Sequence, residues 1–539
     1  SELKSTLNRI KEISNSGRRN SLSNYPFLSA YHDFIVFDNM MLSTNRIDKL
    51  NQIYFNEARQ IHETETPSSS LIHSYAVKSQ YDQKRQAWVS MVELTVGVDQ
   101  GRGLLFTTDF KLPKGVWVSN YFLDIGKKRE YGILAEKKSA EWVFRQITNE
   151  NRDPGIISYL NNNTLRLSVF PCNASRITGI EFTHYNPVKI KIEDKTIQLG
   201  DSTKTISKGI ESENYRLLTS EEKKSLKTVI RKPRVHFIIN NNDYSFSEQE
   251  NLRNTMQQFL IRNRIPLTDG HTANLPNVSN QTYEWDQIPN DAINKNKQLK
   301  GFYPVFNIRK TLTESYKNSS EFFPLIILLN NFTNAMIMEK DFSELQMCYP
   351  DHPYFYELRS DGKLNSHKLD SISYKTIDTL DEIKPYDQVF EYKSGDIKRF
   401  LKKDEETEIV LKRFNEAINE ENLTPKSISS AIDIQASSMT EALNPKLAHE
   451  NWHKMLRSSF KTGFLTPNTS FISLENQAQK NILKHKQRMA LLGEREGEFE
   501  ELSRTFSEPG EWIIYCFLLG LFAYMAIRHK RLKRKVNSI

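Results

Sequence analysis

Cysteine is scarce in this chain, with three residues among 539. Cys172, Cys348 and Cys516 are too few for a disulfide scaffold, and they lie too far apart along the sequence for a zinc knuckle. A glycine-rich phosphate-binding loop and an internal repeat are also missing. Aromatic residues are plentiful at 11% of the chain, which excludes wholesale disorder. The length predicts about three to four domains.

The chain also lacks a strongly basic body, because its positive charge is concentrated near the C-terminal end. The formal net charge is +8, but residues 528–539 hold six Lys or Arg and no acid. Removing these six from the 74 basic residues leaves 68 against 66 acidic ones, a net charge of +2. Nucleic-acid binding by the body of the protein is therefore disfavoured.

The longest uncharged apolar run covers residues 512–527 and is followed at once by the basic tail. Sixteen helical residues cover about 24 Å, a little less than a hydrocarbon core of about 30 Å. The alternative is a buried core helix. The tail favours one C-terminal transmembrane helix with a cytoplasmic tail and a periplasmic or surface-exposed body at the cell membrane. No signal-peptide apolar region occurs in residues 1–30, so we expect the natural start to lie upstream of Ser1.

Residues 1–70 form a polar lead-in, and residues 71–200 have the texture of a β-rich domain. Residues 92–98 and 103–108 predict a hairpin with a turn at 99–102. An amphipathic pattern predicts one helix over residues 135–148. Further β-type runs lie at 116–125, 164–170 and 178–185.

Four blocks of this region occur in order between residues 103 and 171. They are G-L-L-F-T-T-D-F-K-L-P-K-G-V-W-V-S-N-Y-F-L-D-I-G, A-E-K-K-S-A-E-W-V-F-R-Q-I, R-D-P-G-I-I-S-Y-L and N-T-L-R-L-S-V-F-P. Together they resemble a VIT domain, the vault and inter-alpha-trypsin-inhibitor module. The resemblance implies a binding or scaffold module without chemistry of its own. It also implies that a von Willebrand A-type domain follows, a doubly wound parallel sheet with a metal site at its carboxyl edge.

Residues 230–400 fit such an A-like domain in outline. Residues 235–239 predict a buried first strand, and the apolar run 324–329 predicts the centre of a parallel sheet. Residues 355–359 and 388–392 predict further strands.

The metal site that the resemblance implies departs from its pattern in this sequence. Asn240 ends the first strand where an Asp-x-Ser-x-Ser string is expected, and such a string occurs three residues late, at Asp243, Ser245 and Ser247. After the central strand, Asn330 stands where an Asp is expected. Amide oxygens alone bind a hard divalent cation weakly. We therefore expect a degenerate A-like domain with no metal and no cofactor.

Residues 401–506 are highly charged and predict a helical juxtamembrane stalk. They contain His449-Glu450-Asn451-Trp452-His453, an H-E-x-x-H string that on a helix places two imidazoles one turn apart. The alternative function is therefore a membrane-anchored zinc metallopeptidase, with Glu450 as general base and Glu475 as the best-placed third ligand. Against it, the string also fits a surface helix with Trp452 and Met455 packed inward.

Ser507-Glu508-Pro509 precedes the apolar run and the basic tail, so residues 507–535 form a three-part C-terminal signal. This signal resembles the MSEP-CTERM class, whose members carry VIT domains and are processed by an exosortase; Phe506 departs from the Met of the class name. The block T-P-N-T-S-F-I-S-L-E at 466–475 is typical of VIT-containing proteins after their A-type domain.

These features predict a multidomain α+β protein with a β-rich VIT domain containing one helix, a doubly wound α/β A-like domain, a helical stalk and one transmembrane helix. The expected function is that of a non-enzymatic envelope or surface protein with no catalytic residues. The expected partners are the membrane, an exosortase-type transpeptidase and an unidentified protein or envelope component, and not nucleic acid.

Overall fold

The computed structural model describes eleven segments of the chain, all within one compact unit. They are residues 70–98, 105–149, 152–172, 175–240, 249–275, 282–289, 304–330, 341–359, 361–371, 376–414 and 420–491.

Two antiparallel five-stranded sheets form a sandwich at the start of the described chain. The first sheet contains, in spatial order, β1 (Ser70–Asp82), β2 (Ala87–Val98), β9 (Arg176–His184), β4 (Val116–Ile125) and β5 (Lys128–Tyr131). The second contains β3 (Phe106–Lys111), β8 (Thr164–Val169), β7 (Gly155–Tyr159), β25 (Thr469–Ser473) and β6 (Ile133–Glu136). Alternate apolar side chains of both sheets share one core, which the hairpin of β10 (Val188–Ile192) and β11 (Lys195–Leu199) extends.

Helix α1 (Lys137–Asn149) covers the outer face of the second sheet. Its buried residues Ala140, Val143 and Phe144 recur at helical spacing and pack with Ile472 of β25. Helix α7 (Gln477–Leu491) joins the same cluster through Leu483. The amphipathic helix predicted over residues 135–148 is therefore confirmed.

A seven-stranded mixed sheet forms the second domain. Its spatial order is β17 (Thr282–Glu284), β16 (Thr272–Asn274), β15 (Lys232–Ile239), β18 (Phe322–Leu329), β19 (Tyr354–Leu358), β20 (Leu364–Lys368) and β21 (Asp378–Leu380). The four neighbouring strands β16, β15, β18 and β19 run parallel. The other three, β17, β20 and β21, pair antiparallel with their neighbours. The predicted first strand and the predicted central strand are confirmed as β15 and β18, which lie side by side.

Helices pack on both faces of this sheet. Helix α3 (Gln249–Arg262) packs on one face through Leu252, Met256 and Phe259. Helices α4 (Val305–Lys317) and α5 (Ile428–Leu443) pack on the other face, together with the 3₁₀ helix η1 (Ser343–Cys348).

Two small antiparallel sheets lie in the chain between the domains and after the second one. One contains β12 (Ile210–Glu211), β13 (Tyr215–Leu218) and β24 (Glu408–Leu411), and the other contains β14 (Lys227–Val229), β22 (Val389–Ser394) and β23 (Ile397–Lys402). The short helix α2 (Ser220–Lys224) begins with a capping box between Thr219 and Glu222. The remaining elements are η2 (Glu420–Asn422) and helix α6 (Pro445–Thr462).

The predicted fold class is wrong in several elements. The hairpin between residues 92–98 and 103–108 does not form, because β2 pairs with β1 and β9 while β3 pairs with β8 of the other sheet. The second domain is not doubly wound throughout, because β20 and β21 extend the sheet as antiparallel neighbours. The predicted strand at 388–392 belongs to the separate sheet of β14, β22 and β23.

The helical stalk over residues 401–506 is also wrong. β24 lies within this range, α5 is a buried layer against the seven-stranded sheet, and β25 is an inner strand of the sandwich. All five residues of β25 are buried. Within the described part of this range, the exposed charged residues Lys446, Glu450 and Lys454 lie on α6, a helix whose other face is buried.

No helix within the described ranges is long and apolar enough to cross a membrane. This finding overturns the part of the predicted fold class that contained a transmembrane helix, and with it the predicted localisation at the cell membrane. The run of sixteen residues at 512–527 is shorter than the about twenty that a span needs. That run and the basic tail lie outside the described residues.

Candidate functional site

The carboxyl edge of the parallel strands is the candidate functional site of the second domain. From β15 the chain passes through α3 to β16 on one side, whereas β18 lies on the other side of β15. Open sheets with such a reversal bind ligands in the crevice at the carboxyl ends of the two central strands. Asn240 directly follows β15 and Asn330 directly follows β18, so both stand at this crevice.

A chain of hydrogen bonds joins the polar side chains at this edge. The Asn240 amide nitrogen Nδ2 donates to Asn330 Oδ1 at 3.0 Å, and Asn330 Nδ2 donates to Glu357 Oε1 at 3.0 Å. Both asparagines are buried. One strand further, Asn274 at the end of β16 accepts a hydrogen bond from Thr282 Oγ1 at 2.8 Å. Asn240 and Asn330 are therefore joined to each other and to Glu357, whereas Asn274 is bonded to Thr282.

His367 on β20 lies on the far side of Glu357. Its Nε2 lies 3.8 Å from Glu357 Oε2, and its ring stacks on Phe355 with 5.1 Å between centroids. The imidazole is buried, and neither ring nitrogen has a hydrogen-bond partner within the described part of the chain. Glu357 is thus the one carboxylate in a row of amides and a histidine.

This arrangement has few ligands for a hard cation. Mg²⁺ and Ca²⁺ prefer several oxygen ligands with carboxylates among them, and here the Asn330 oxygen is already a hydrogen-bond acceptor. Among the described residues, no group of three or more His, Cys, Asp or Glu is arranged to hold a metal ion. Asp243, Ser245 and Ser247 lie outside the described residues, so the metal-free state of the domain stays a prediction.

The H-E-x-x-H string lies on α6. His449, Glu450 and His453 are all exposed, and Glu450 forms an ion pair with Lys446 at 3.9 Å. The His453 ring meets Trp452 edge to face at 4.8 Å between centroids. Glu475, the predicted third ligand, follows β25 and lies 4.0 Å from the guanidinium of Arg152.

The helix itself has a core-facing side that explains its position. Met455 and Leu456 are fully buried, and the buried Ser459 donates a hydrogen bond from its hydroxyl to the Phe464 carbonyl oxygen at 2.6 Å. Gly463 ends the helix in the left-handed conformation with φ of 77°. Met455 is thus packed inward, as the surface-helix alternative predicts.

Comparison with known proteins does not identify a family for this chain. No protein-family model matches the chain, and no curated protein matches it. The VIT domain and the MSEP-CTERM class therefore stay resemblances of the sequence. Ser507, Glu508 and Pro509 lie outside the described residues.

The sequence did not predict one ionic cluster at the junction of the two domains, in which two side chains are buried and two are half-buried. We call Lys114, Lys223, Asp404 and Glu408 the junction cluster. Lys114 Nζ lies 2.6 Å from Glu408 Oε2, and the fully buried Lys223 contacts both Asp404 and Glu408. Nothing local in the sequence marks these four residues, because they come from the β3–β4 turn, from helix α2, and from the start of β24 and the segment that leads into it.

Glu408 also controls the ionisation of Lys114. Burial alone would lower the pKa of the Lys114 ammonium, but the charge and the hydrogen bond of Glu408, together with the charges of Asp404 and Glu406, hold that pKa above its ordinary value. The neighbouring Thr407 hydroxyl donates to the Lys114 carbonyl oxygen at 2.6 Å. The junction cluster therefore connects the β3–β4 turn of the sandwich to β24.

Proposed function

We propose that this chain is a non-enzymatic binding and scaffold protein in which a VIT-type sandwich and a degenerate A-type domain act as one body. The observation that carries the proposal is the position of β25. Its residues 469–473 belong to the T-P-N-T-S-F-I-S-L-E block, and the strand pairs with β6 on one side and β7 on the other. The last described part of the chain is thereby built into the first domain.

Contacts between the sandwich and the chain segment that precedes β25 support the same function. α5 packs on the seven-stranded sheet, and its first residue Ile428 donates its backbone N–H to the Arg85 carbonyl oxygen of the sandwich at 3.1 Å. Leu465 donates its N–H to the Val118 carbonyl oxygen at 2.9 Å. Such a body presents fixed surfaces to a partner instead of closing around a substrate.

The amide-lined carboxyl edge supports binding that does not need a metal ion. In an A-type domain with a working metal site, the cation would lie at this edge. Here Asn240 and Asn330 hydrogen-bond to each other at 3.0 Å, and Glu357 is the carboxylate that the described residues place beside them. The zinc hydrolase alternative has no comparable support, because His449 and His453 are exposed and the described residues contain no three-ligand group around them.

Calorimetric titration of the full chain with Mg²⁺, Ca²⁺ and Zn²⁺ tests this proposal. We expect no saturable heat with Mg²⁺ or Ca²⁺, and no thermal stabilisation, because a ligand raises stability only when it binds the native state preferentially. The variant N240D/N330D is the matched control, since it adds two carboxylates beside Glu357 and should bind Ca²⁺ more tightly than the unmodified chain. Stabilisation of the unmodified chain by Mg²⁺, abolished by Asp243→Ala, would contradict the proposal. So would a zinc-dependent hydrolytic activity that His449→Ala removes.

A second part of the proposal concerns Ser507-Glu508-Pro509. We propose that an exosortase-type transpeptidase recognises this motif, because proline breaks a helix and leaves an extended peptide for a processing enzyme. Replacing Glu508 and Pro509 with alanine should block processing. The mass of the mature C-terminus, measured with and without the transpeptidase, is the readout. The same C-terminal mass with and without the transpeptidase would refute this part of the proposal and leave the scaffold proposal standing.

A further inference from the structure

A small cavity lies at the amino ends of the parallel strands, at the opposite edge from the candidate functional site. Arg231 precedes β15, and Ser319 and Ser320 precede β18. Lys398 and Arg399 of β23 close another side of the cavity. Three cationic side chains and several seryl hydroxyls thus line one small space.

Two of these three cations are balanced by carboxylates. Arg231 Nε donates to Asp351 Oδ1 at 3.0 Å, and both groups are buried. Lys398 Nζ lies 2.9 Å from a Glu391 carboxylate oxygen and also contacts Glu321.

Arg399 is the unbalanced cation. Its side chain is 5% exposed, and no carboxylate among the described residues pairs with it. One guanidinium nitrogen donates to Ser319 Oγ at 2.6 Å and to the Lys398 carbonyl oxygen at 2.8 Å. Its Nε is buried and has no hydrogen-bond partner within the described residues. A buried cation without a counter-charge is costly, so a bound anion would stabilise this position.

Aromatic rings hold this guanidinium in place. Its central carbon lies 4.7 Å from the Tyr316 ring centroid and 5.6 Å from that of Phe414. Cation–π contacts offset part of the lost hydration but leave the Nε–H donor free. The group is therefore fixed in position with an unused donor.

Ser319 lines the cavity from a strained backbone position. It lies in the left-handed region with φ of 49°, just after α4, where glycine is the usual residue. Ser320 N donates to the Ser315 carbonyl oxygen and Ser319 N to the Tyr316 carbonyl oxygen, so the last carbonyls of α4 are already satisfied. The Ser319 hydroxyl accepts the hydrogen bond from Arg399, so a glycine at this position would remove both the strain and the hydroxyl.

We propose that this cavity binds a small monovalent inorganic anion, held by Arg399 Nε and the seryl hydroxyls around Ser319. One uncompensated positive charge sets the preference for a single negative charge. The small size of the space sets the preference for a halide or nitrate over a phosphorylated metabolite. The bound anion would join α4, η1 and β23 at the edge of the sheet that the candidate functional site does not use.

Thermal unfolding of the full chain in sodium chloride and in sodium gluconate at equal ionic strength tests the proposal. Chloride should raise the unfolding midpoint by about 2–4 °C at saturation, because it binds the folded state only. Ser319→Gly separates a ligand role from a structural one. It should raise the midpoint in gluconate by relieving the backbone strain, and it should raise the half-saturating chloride concentration at least about tenfold.

Arg264→Gly is the matched control. Arg264 has φ of 56° just after α3, in the same kind of helix ending, and its side chain is exposed. This variant should show the same strain relief with an unchanged chloride response. Arg399→Lys keeps the charge but removes Nε, and it should lose the chloride response.

Crystals soaked in bromide provide the direct measurement, with an anomalous peak expected within hydrogen-bond reach of Arg399 Nε. Equal midpoints in chloride and gluconate would overturn the proposal, and so would a full chloride response in Ser319→Gly. Tighter binding of phosphate or sulfate than of chloride would overturn the monovalent assignment.

Discussion

Replacing Glu408 with Gln tests whether the junction cluster stabilises the fold. The substitution keeps the shape of the side chain but removes the charge that faces Lys114 at 2.6 Å and Lys223 at 3.9 Å. Glu408 is 5% exposed at its side chain, Lys223 is fully buried and Lys114 is 22% exposed, so water replaces the lost partner only in part. Removing one member of a buried ion pair costs about 3–5 kcal/mol. We expect a loss of free energy of unfolding in that range.

Urea unfolding monitored by tryptophan fluorescence measures this loss, because the unfolding free energy falls linearly with urea. The matched control is Glu213→Gln, which removes the charge partner of Arg413 in a pair whose side chains are 73% and 52% exposed. Exposed pairs contribute about 0–1 kcal/mol, so this control should hardly change the midpoint.

A double variant distinguishes the cost of an unpaired charge from the cost of a changed side-chain shape. In Lys114→Met/Glu408→Leu both members of the pair become apolar, and Lys223 keeps Asp404. We expect this double variant to be more stable than Glu408→Gln. A Glu408→Gln protein within about 1 kcal/mol of the unmodified chain would refute the reasoning, because the cluster would then behave like a surface pair.

Three further predictions concern the sandwich and the buried histidines. Phe471→Ala should cost about 3–5 kcal/mol of unfolding free energy, measured with urea, because the ring is buried between the sheets. Gly179→Ala should cost about 1–3 kcal/mol in the same assay, because a Cβ there would lie 2.1 Å from the Phe122 ring. Burial lowers the pKa of His184 to about 4 and that of His236 to about 3. The stability from these neutral rings is complete above about pH 6.5 and should fall as the pH is lowered through about 4, which unfolding midpoints between pH 7.5 and 4 would show.

Elements with a strong local pattern were predictable from the sequence. The spacing of Ala140, Val143 and Phe144 predicts α1, and continuous apolar runs predict β15 and β18 as buried parallel strands. In these cases the residues that carry the signal are the residues that the fold buries. Local periodicity and tertiary packing therefore agree.

Elements defined by distant pairing were not predictable. A turn-like stretch at 99–102 favours a hairpin, but β2 and β3 find different partners because each completes a different sheet of the sandwich. β25 pairs with β6 more than three hundred residues earlier in the chain, as Ser470 opposite Ala135 shows. Charge density around β25 predicts a stalk, and only the three-dimensional arrangement shows that the strand is fully buried.

The candidate site was predictable in part. The positions of Asn240 and Asn330 at strand ends predict that both amides meet at one edge, and the structure places them 3.0 Å apart. The participation of Glu357 and His367 was not predictable, because it depends on the pairing of β19 with β18 on one side and with β20 on the other. The junction cluster and the Arg399 cavity were not predictable for a similar reason, because each is formed by side chains from separate elements.

Cleavage of the chain between the two parts that β25 joins tests the central claim most directly. A specific protease site placed between Phe414 and Glu420 would allow the covalent link between the two fragments to be cut. Both β24 and η2 would stay intact. Because α5 and β25 are built into the two domains, we predict that the fragments elute together in gel filtration and separate only in denaturant. Separation of the cleaved fragments under native conditions would contradict the claim that this chain is a single scaffold body.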